Sequence, residues 1–448
     1  MIETLLHYNI NAPRYTSYPP ANLFRKAENE LEVEELWKAS NSLNPSNLSF
    51  YFHIPFCSKR CLFCGCTSET IKEDSYREEY MNSIALEMEK KLPWIDSSRK
   101  VTQVHFGGGT PTSVPVSELK SILDRLKERF TFSSRAEIAI ECNPASVTET
   151  LLSDLALAGF NRISYGIQDF NLETLRLIGR DPSLIDVPSL VSLSHKLGFQ
   201  SVNLDLIYGL PGQTLESFSD SVSKAIAANP DRIALFSYAH VPWKRPEQKR
   251  LEEYHIPDAY HKMSFFLKAR DMFKEAGYQN IGMDHFVKSS DSLFFASEQG
   301  LLHRNFQGYC TRSTTGQVYA FGSSAISQLD NAYLQNTHIT SDYMEKVKRQ
   351  EMTEVRVHPL TENEKIWRNM IERLMCNNAL KINEIEKKAL GERWNRLCAL
   401  EKEGLLTKIN DDEIRTTTLG SLVIRYLVSV IDPLLENQES EGVFSKTI

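Results

Sequence analysis

The chain has 448 residues, 41% hydrophobic and 24% charged, enough for a sizeable soluble core and for more than one ordinary domain. Its net charge of −7 and pI near 6.0 argue against general electrostatic attraction to nucleic acid or to an anionic membrane. The start MIETLLHYNINAPRYTSYPP lacks the basic, apolar pattern of a leader, and no apolar run reaches membrane-spanning length, so a cytoplasmic protein is expected.

Residues 1–38, with APRYTSYPP, read as an extended Pro-rich arm closing over a site. A rhythm of short apolar runs and helical stretches then begins. The runs are LSFYFHI, VTQVHFGGG, EIAIECNP, RISYGIQDF, SVNLDLIYGLPG, RIALFSYAH and QNIGMDHF. Between them, YREEYMNSIALEMEKKL and VSELKSILDRLKERF carry apolar residues at helical spacing. Seven such units predict parallel β/α construction, open or closed into a barrel, over residues 39–345. Such folds bind ligands at the carboxyl ends of their strands. Beyond about residue 345 the strand rhythm stops. TENEKIWRNMIERLMC, INEIEKKAL and RWNRLCALEKEGLL read as amphipathic helices, and LLTKINDDEIRTTTLG as a hairpin after a helix. Residues 346–448 therefore read as a mainly helical, winged-helix-like domain, suited by its acidic surroundings to packing or covering a substrate.

Four of the eight cysteines lie in FCSKRCLFCGC, residues 56–66. Cys57, Cys61 and Cys64 put three thiolates on one loop directly after a predicted strand. Three ligands suit a cubane iron–sulfur cluster with one iron left open to a substrate or cofactor. Zinc, the alternative, commonly uses a second Cys-x₂-Cys knuckle or downstream histidines, and no second knuckle follows. Redox thiol chemistry is the other alternative. Cys142, Cys310, Cys376 and Cys398 read as small buried hydrophobes.

CSKRCLFC resembles the signature of the radical S-adenosylmethionine (SAM) superfamily, including the aromatic Phe63 before the third cysteine. The resemblance implies a [4Fe-4S] cluster on Cys57, Cys61 and Cys64, with SAM on the open iron and Phe63 against its adenine. It also implies reductive cleavage of SAM to a 5′-deoxyadenosyl radical, in a partial (β/α)6 barrel extended by further strands. GGGTPT, from Gly107, resembles the stretch that hydrogen-bonds the methionine part of SAM.

The resemblance narrows to the oxygen-independent coproporphyrinogen III oxidase family through PRYTSYP, CGC, GFNRISYGIQDFN, NLDLIYGLPGQT, FSYAHVP, IGMDHF and LLHRNFQGY. It implies oxidative decarboxylation of two propionates of coproporphyrinogen III to vinyl groups, giving protoporphyrinogen IX in haem biosynthesis. It also implies a monomer served by an electron donor such as a flavodoxin or ferredoxin. Tyr51, Phe63, Gly108, Glu141 and Ile326 match positions contacting the cluster-bound SAM. Gly109, Thr110, Gln168, Arg180, Asp205 and Ala239 match positions around a second SAM described for the family. Cys66, the extra family cysteine, is expected near the chemistry rather than on iron. His53, Phe306 and Gln307 are the other catalytic candidates, and Arg14 is available to a propionate.

TRSTTGQVYAFGSSAIS is bulkier than the family's usual glycine-rich run; Tyr319 and Phe321 either repack that strand or alter substrate fit. Two other activities of the superfamily remain open at this point: a haem chaperone, and a methyltransferase that opens haem anaerobically. Cys66 and the RYTSYP arm favour the oxidase over the chaperone.

Overall fold

The computed structural model describes residues 2–70, 73–435 and 444–447. Six strands run parallel and side by side in chain order: β1 (Leu48–Ile54), β2 (Val101–Gly108), β3 (Phe132–Cys142), β4 (Arg162–Gln168), β5 (Ser201–Tyr208) and β6 (Arg232–Ser237). One or more helices fill each connection, as parallel neighbours require. The short apolar runs read from the sequence become strands with two faces. In β4 every second residue is buried, and the intervening ones look into a polar cavity. The result is the partial (β/α)6 barrel expected, with strands added on both sides.

The seventh unit departs from expectation. QNIGMDHF folds as a hairpin of Gln279–Ile281 and His285–Val287, the latter antiparallel to β6. Gly282 makes the turn at φ +63°, where a Cβ would stand 2.0 Å from the Tyr309 ring. The seventh parallel strand is instead Gln317–Phe321, which pairs with β1 on the opposite side of the sheet. The bulky residues there repack the strand. Tyr319 is fully buried, its hydroxyl 2.6 Å from Ser40 Oγ and accepting from Arg99 at 2.7 Å; Phe321 stacks on Phe52 at 5.4 Å.

The main sheet also continues past residue 345, where a separate, mainly helical domain with a hairpin was expected. Strand Glu354–Pro359 joins it beside Ala332–Asn336 and pairs with Arg25–Lys26 from the arm. The remainder is mainly helical, and the hairpin expected near residue 410 is present as Leu406–Asn410 and Glu413–Thr416. The arm is anchored there as well: Tyr15 and Tyr18 both donate to the buried Asp432 at 3.1 Å, and Arg425 donates to the Pro13 carbonyl at 3.0 Å.

A buried ionic cluster ties the first barrel helix, Asp74–Lys91, to the added strands. Lys91 donates to Glu87 (2.5 Å), Glu354 (2.7 Å) and Thr353 (2.8 Å), while Tyr343 and the Gly322 amide complete Glu87. Among the described residues Lys91 is the cluster's one cation, and removing it leaves two buried carboxylates without countercharge. We expect Lys91→Met to destabilise the chain by about 3–5 kcal/mol in denaturant melting; an unchanged midpoint would contradict this reading of the cluster.

Candidate active site at the barrel rim

Two backbone segments meet where β1 and β2 end. The Gly109 amide donates to Ile54 O and the Thr110 amide to Phe56 O, both at 2.8 Å, so the glycine turn lies directly on the entry to the cysteine loop. A Cβ on Gly109 would sit 2.7 Å from Pro55 O, and one on Gly107 would sit 2.8 Å from a Glu141 carboxylate oxygen. These glycines thus serve close contact within the protein, in addition to any ligand. The far side of the loop is held by Leu62 N on Ile178 O (2.9 Å), Gln248 on the Phe63 carbonyl (3.1 Å) and Arg245 on the Gly65 carbonyl (2.7 Å). Phe63 leans on an apolar cluster that includes Leu175, Ile178 and Leu251.

Cys57, Cys61 and Cys64 are half-buried free thiols. Cys57 Sγ lies 3.6 Å from Thr110 Oγ1, Cys64 Sγ lies 3.8 Å from Ser68 Oγ, and Arg180 donates to Cys61 Sγ at 3.4 Å. A hydrogen bond from Cys66 lowers the Cys64 thiol and raises its own, so Cys64 favours the thiolate that iron requires. Among the described residues, no three His, Cys, Asp or Glu side chains converge as on a single ion. The three thiols suit a cluster better, because each thiolate there holds a different iron. Beside them, Gln168 Oε1 and Arg180 Nε are buried without a partner, and Gln168 has φ +69°. Unpaired buried polar atoms are costly and fit a polar ligand such as SAM.

The polar faces of β2 to β6 enclose a cavity of about 370 Å³, and hairpin Leu302–Thr311 contributes its opposite lining. Cys66, Glu141, Gln168, Asp205 and Gln307 all line it. Cys66 is exposed to the cavity. Glu141 lies 3.0 Å from His105 Nε2 and accepts from the Gly108 amide at 3.2 Å. Asp205 accepts from Asn203 (2.7 Å) and Ser164 (3.1 Å), yet burial and then the Glu141 charge push its carboxyl up to about 6.

Other expected residues lie elsewhere. His53 is buried, with Nδ1 3.0 Å from the Tyr51 hydroxyl and Nε2 2.9 Å from the Thr67 carbonyl; with both nitrogens engaged it supports Tyr51 rather than facing substrate. Burial lowers its pKa, consistent with a neutral ring. Tyr51 in turn stacks on His105 at 5.8 Å. Phe306 turns from the cavity to meet Tyr333 edge-on at 6.5 Å, because the two residues at a hairpin tip point apart. Ala239 and Arg14 line a neighbouring cavity. Ile326 sits on a strand added beyond Gln317–Phe321, which separates it from the large cavity. Two cavity histidines were not singled out from the sequence. His105 lies on the cavity-facing register of β2, two residues before Gly107, and His285 follows Asp284 in IGMDHF, its Nδ1 2.7 Å from the Asp284 carboxylate.

Residues 51–225 match the model of the radical SAM superfamily. The oxygen-independent coproporphyrinogen III oxidase of Synechocystis sp. is 36% identical over 100% of this chain and 97% of its own length. That of Escherichia coli K12 is 36% identical over 98% and 97%. The chain belongs to the oxygen-independent coproporphyrinogen III oxidase family. The solved structure of coproporphyrinogen III oxidase from Escherichia coli, described as a radical SAM enzyme, superposes with a TM-score of 0.87 at 35% identity, covering 94% of this chain and 97% of that one. As an oxidase of this family the protein is a radical SAM oxidoreductase, with a [4Fe-4S] cluster and SAM as its cofactors. Among the described residues, no helix is long and apolar enough to cross a membrane.

The Asp205 shift has a definite sign. Its folded value lies above the ordinary 3.8, so the penalty for ionising it in the fold is absent below that pH, grows through about 6 and is complete above. We expect Asp205→Asn to stabilise the cofactor-free chain at pH 7 by about 3 kcal/mol. Melting curves from pH 4 to 7 check this, and a variant with the wild-type pH dependence would contradict it.

Proposed function

We propose that the chain catalyses oxygen-independent oxidative decarboxylation of two propionates of coproporphyrinogen III to vinyl groups, giving protoporphyrinogen IX. The carrying observation is the meeting of three free thiols with a polar cavity at the carboxyl ends of the barrel strands, in a chain matching oxidases of this name along its whole length. The cluster and SAM supply, when bound, the 5′-deoxyadenosyl radical that removes hydrogen from the propionate β-carbon.

Everything else is done by the chain's own residues. Cys57, Cys61 and Cys64 would hold the cluster, with Arg180 and Thr110 orienting two of the thiolates. Phe63, braced from behind, would take the adenine on its free face. Tyr51, Gly108 and Glu141 would contact the SAM held at the cluster; the Glu141 carboxylate, aimed by His105 and the Gly108 amide, would accept from a hydroxyl or an amine. Gln168 and Arg180 have the unpaired polar atoms that a second SAM would satisfy, with Gly109, Thr110 and Asp205 beside them, while Ala239 lines the neighbouring cavity. Cys66 and Gln307 face the space left for substrate. His53 acts through Tyr51. The apolar packing behind Phe63 keeps water from one side of the site. The enzyme works as a cytoplasmic monomer reduced by a flavodoxin or ferredoxin, without a nucleic-acid or membrane partner.

An anaerobic assay of iron-reconstituted protein with coproporphyrinogen III, SAM and reductant tests this. Loss of two carboxyl groups with formation of 5′-deoxyadenosine is expected. SAM cleavage without decarboxylation would redirect the assignment to another tetrapyrrole, including the anaerobic opening of haem; intact SAM with haem bound would indicate a chaperone. Ala at Cys57, Cys61 or Cys64 should abolish cluster iron and turnover together. Cys66→Ala should keep the iron while turnover falls about 10- to 100-fold, as for residues next to a metal centre; loss of iron in that variant would make Cys66 a ligand.

A further inference from the structure

A second cavity, about 520 Å³, lies between the ends of β5 and β6, helix Ala259–Glu275 and the N-terminal arm. Four cations line it: Arg14, Lys262, Arg425 and, exposed at its edge, Lys446. Among the described residues the Arg14 guanidinium has no hydrogen-bond or ion-pair partner, and it is exposed toward the cavity. The Lys262 ammonium donates to the Tyr238 carbonyl at 2.7 Å; its stem runs across Gly209 of the YGLPG motif, and burial alone lowers it to about 8. Arg425 is bonded to carbonyls, Pro13 at 3.0 Å and Lys446 at 2.7 Å among them, and burial and then Arg14 lower its pKa. The acidic side chain lining this cavity is Asp258, already held by the His261 amide (2.9 Å) and ring (2.8 Å). Asp284 faces Arg14 only from the adjoining cavity.

Arg425 is buried, Lys262 half-buried and Arg14 open to the cavity, and cations gathered with so little countercharge repel one another unless an anion completes them. They also stand out in a chain whose net charge is −7. A small intervening cavity shares Arg14, Tyr208, Ser237 and Arg425 with this one, and its Phe236 also lines the large polar cavity. The cationic pocket is therefore the reaction cavity's neighbour at the rim.

Coproporphyrinogen III carries four propionates. Two lose carbon dioxide and two pass through the reaction unchanged. The reacting β-carbons must reach the large cavity, so the retained carboxylates need countercharge away from the radical. We propose that the arm-covered pocket binds the retained propionate carboxylates of the tetrapyrrole, with Arg14, Lys262 and Arg425 as their partners. This rests on the oxidase reading above. It gives the arm a task beyond closure, because Arg14 becomes a substrate ligand. A guanidinium offers a carboxylate two parallel hydrogen bonds, which the more compact ammonium of Lys262 does not.

The retained propionates are common to substrate and product, and that fixes the test. Cluster-reconstituted protein is titrated, without reductant, with coproporphyrin III (four carboxylates) and with protoporphyrin IX (the two retained ones), following fluorescence. Arg14→Ala and Lys262→Met should each weaken binding of both probes by a similar factor, about 10- to 100-fold, the range for a charged hydrogen bond. Arg14→Lys should recover most of the loss. Thermal melting establishes that each variant is folded; if Arg14→Ala is not, Lys262→Met carries the comparison. Wild-type affinity for both probes in folded variants would overturn the proposal. So would weakened binding of coproporphyrin III alone, which would give the pocket to the reacting propionates. Failure of the wild-type protein to bind either porphyrin would count against the oxidase reading itself.

Discussion

The rim of this barrel depends on the approach of the Gly107–Thr110 turn to the Ile54–Phe56 segment, closed by two 2.8 Å amide–carbonyl bonds. Side chains at these positions would hold the two segments apart, because a Cβ on Gly109 would collide with Pro55 O. With the contact made, Cys57 starts its loop against Thr110, and Gly107 leaves room for Glu141 from the next strand. A backbone contact between neighbouring parallel strands thus sets the distance between the thiols and the polar cavity. Strand ends hold such a spacing better than mobile loops, which suits chemistry requiring reactants aligned within fractions of an ångström.

The cavity is electrostatically unfinished. Asp205 is pushed toward its neutral form beside Glu141, Gln168 and Arg180 keep unpaired polar atoms, and Gln168 holds a left-handed backbone. Each costs stability in the cofactor-free chain. The buried network around Lys91 and Glu87 has the opposite character: it lies away from the cavity, its groups are mutually satisfied, and it fixes the first barrel helix to the added strands. The site thus holds open polar atoms that a ligand can satisfy, while paired charges brace the frame. Active sites commonly show this division.

Much of this was legible in the sequence because it is local. Short apolar runs alternating with helical stretches identified β1 to β6, and the cysteine spacing with GGGTPT located the rim. The misreadings have physical causes. QNIGMDHF has strand composition, but Gly282 turns it back on itself, and composition does not tell an antiparallel return from another parallel strand. QVYAF was seen only as a bulky departure, since pairing with β1 across some 270 residues of chain leaves no local trace. His53 carries the residue type of a catalyst, yet its partners Tyr51 and Thr67 are set by the folded loop. Phe306 and Gln307 are adjacent in sequence and part company only because they form a hairpin tip. His105 was legible in principle, two positions before Gly107, but its value became plain only with Glu141 at 3.0 Å.

The central claim is that three protein thiolates hold the cluster and leave one iron to SAM. Mössbauer spectroscopy of the ⁵⁷Fe-reconstituted protein, before and after SAM addition and without reductant, tests it most directly. One iron in four should change its isomer shift and quadrupole splitting toward higher coordination with nitrogen and oxygen ligands, while the other three stay as they were. Four irons unaltered by SAM, or a cluster with four equivalent thiolate-bound irons, would contradict the account.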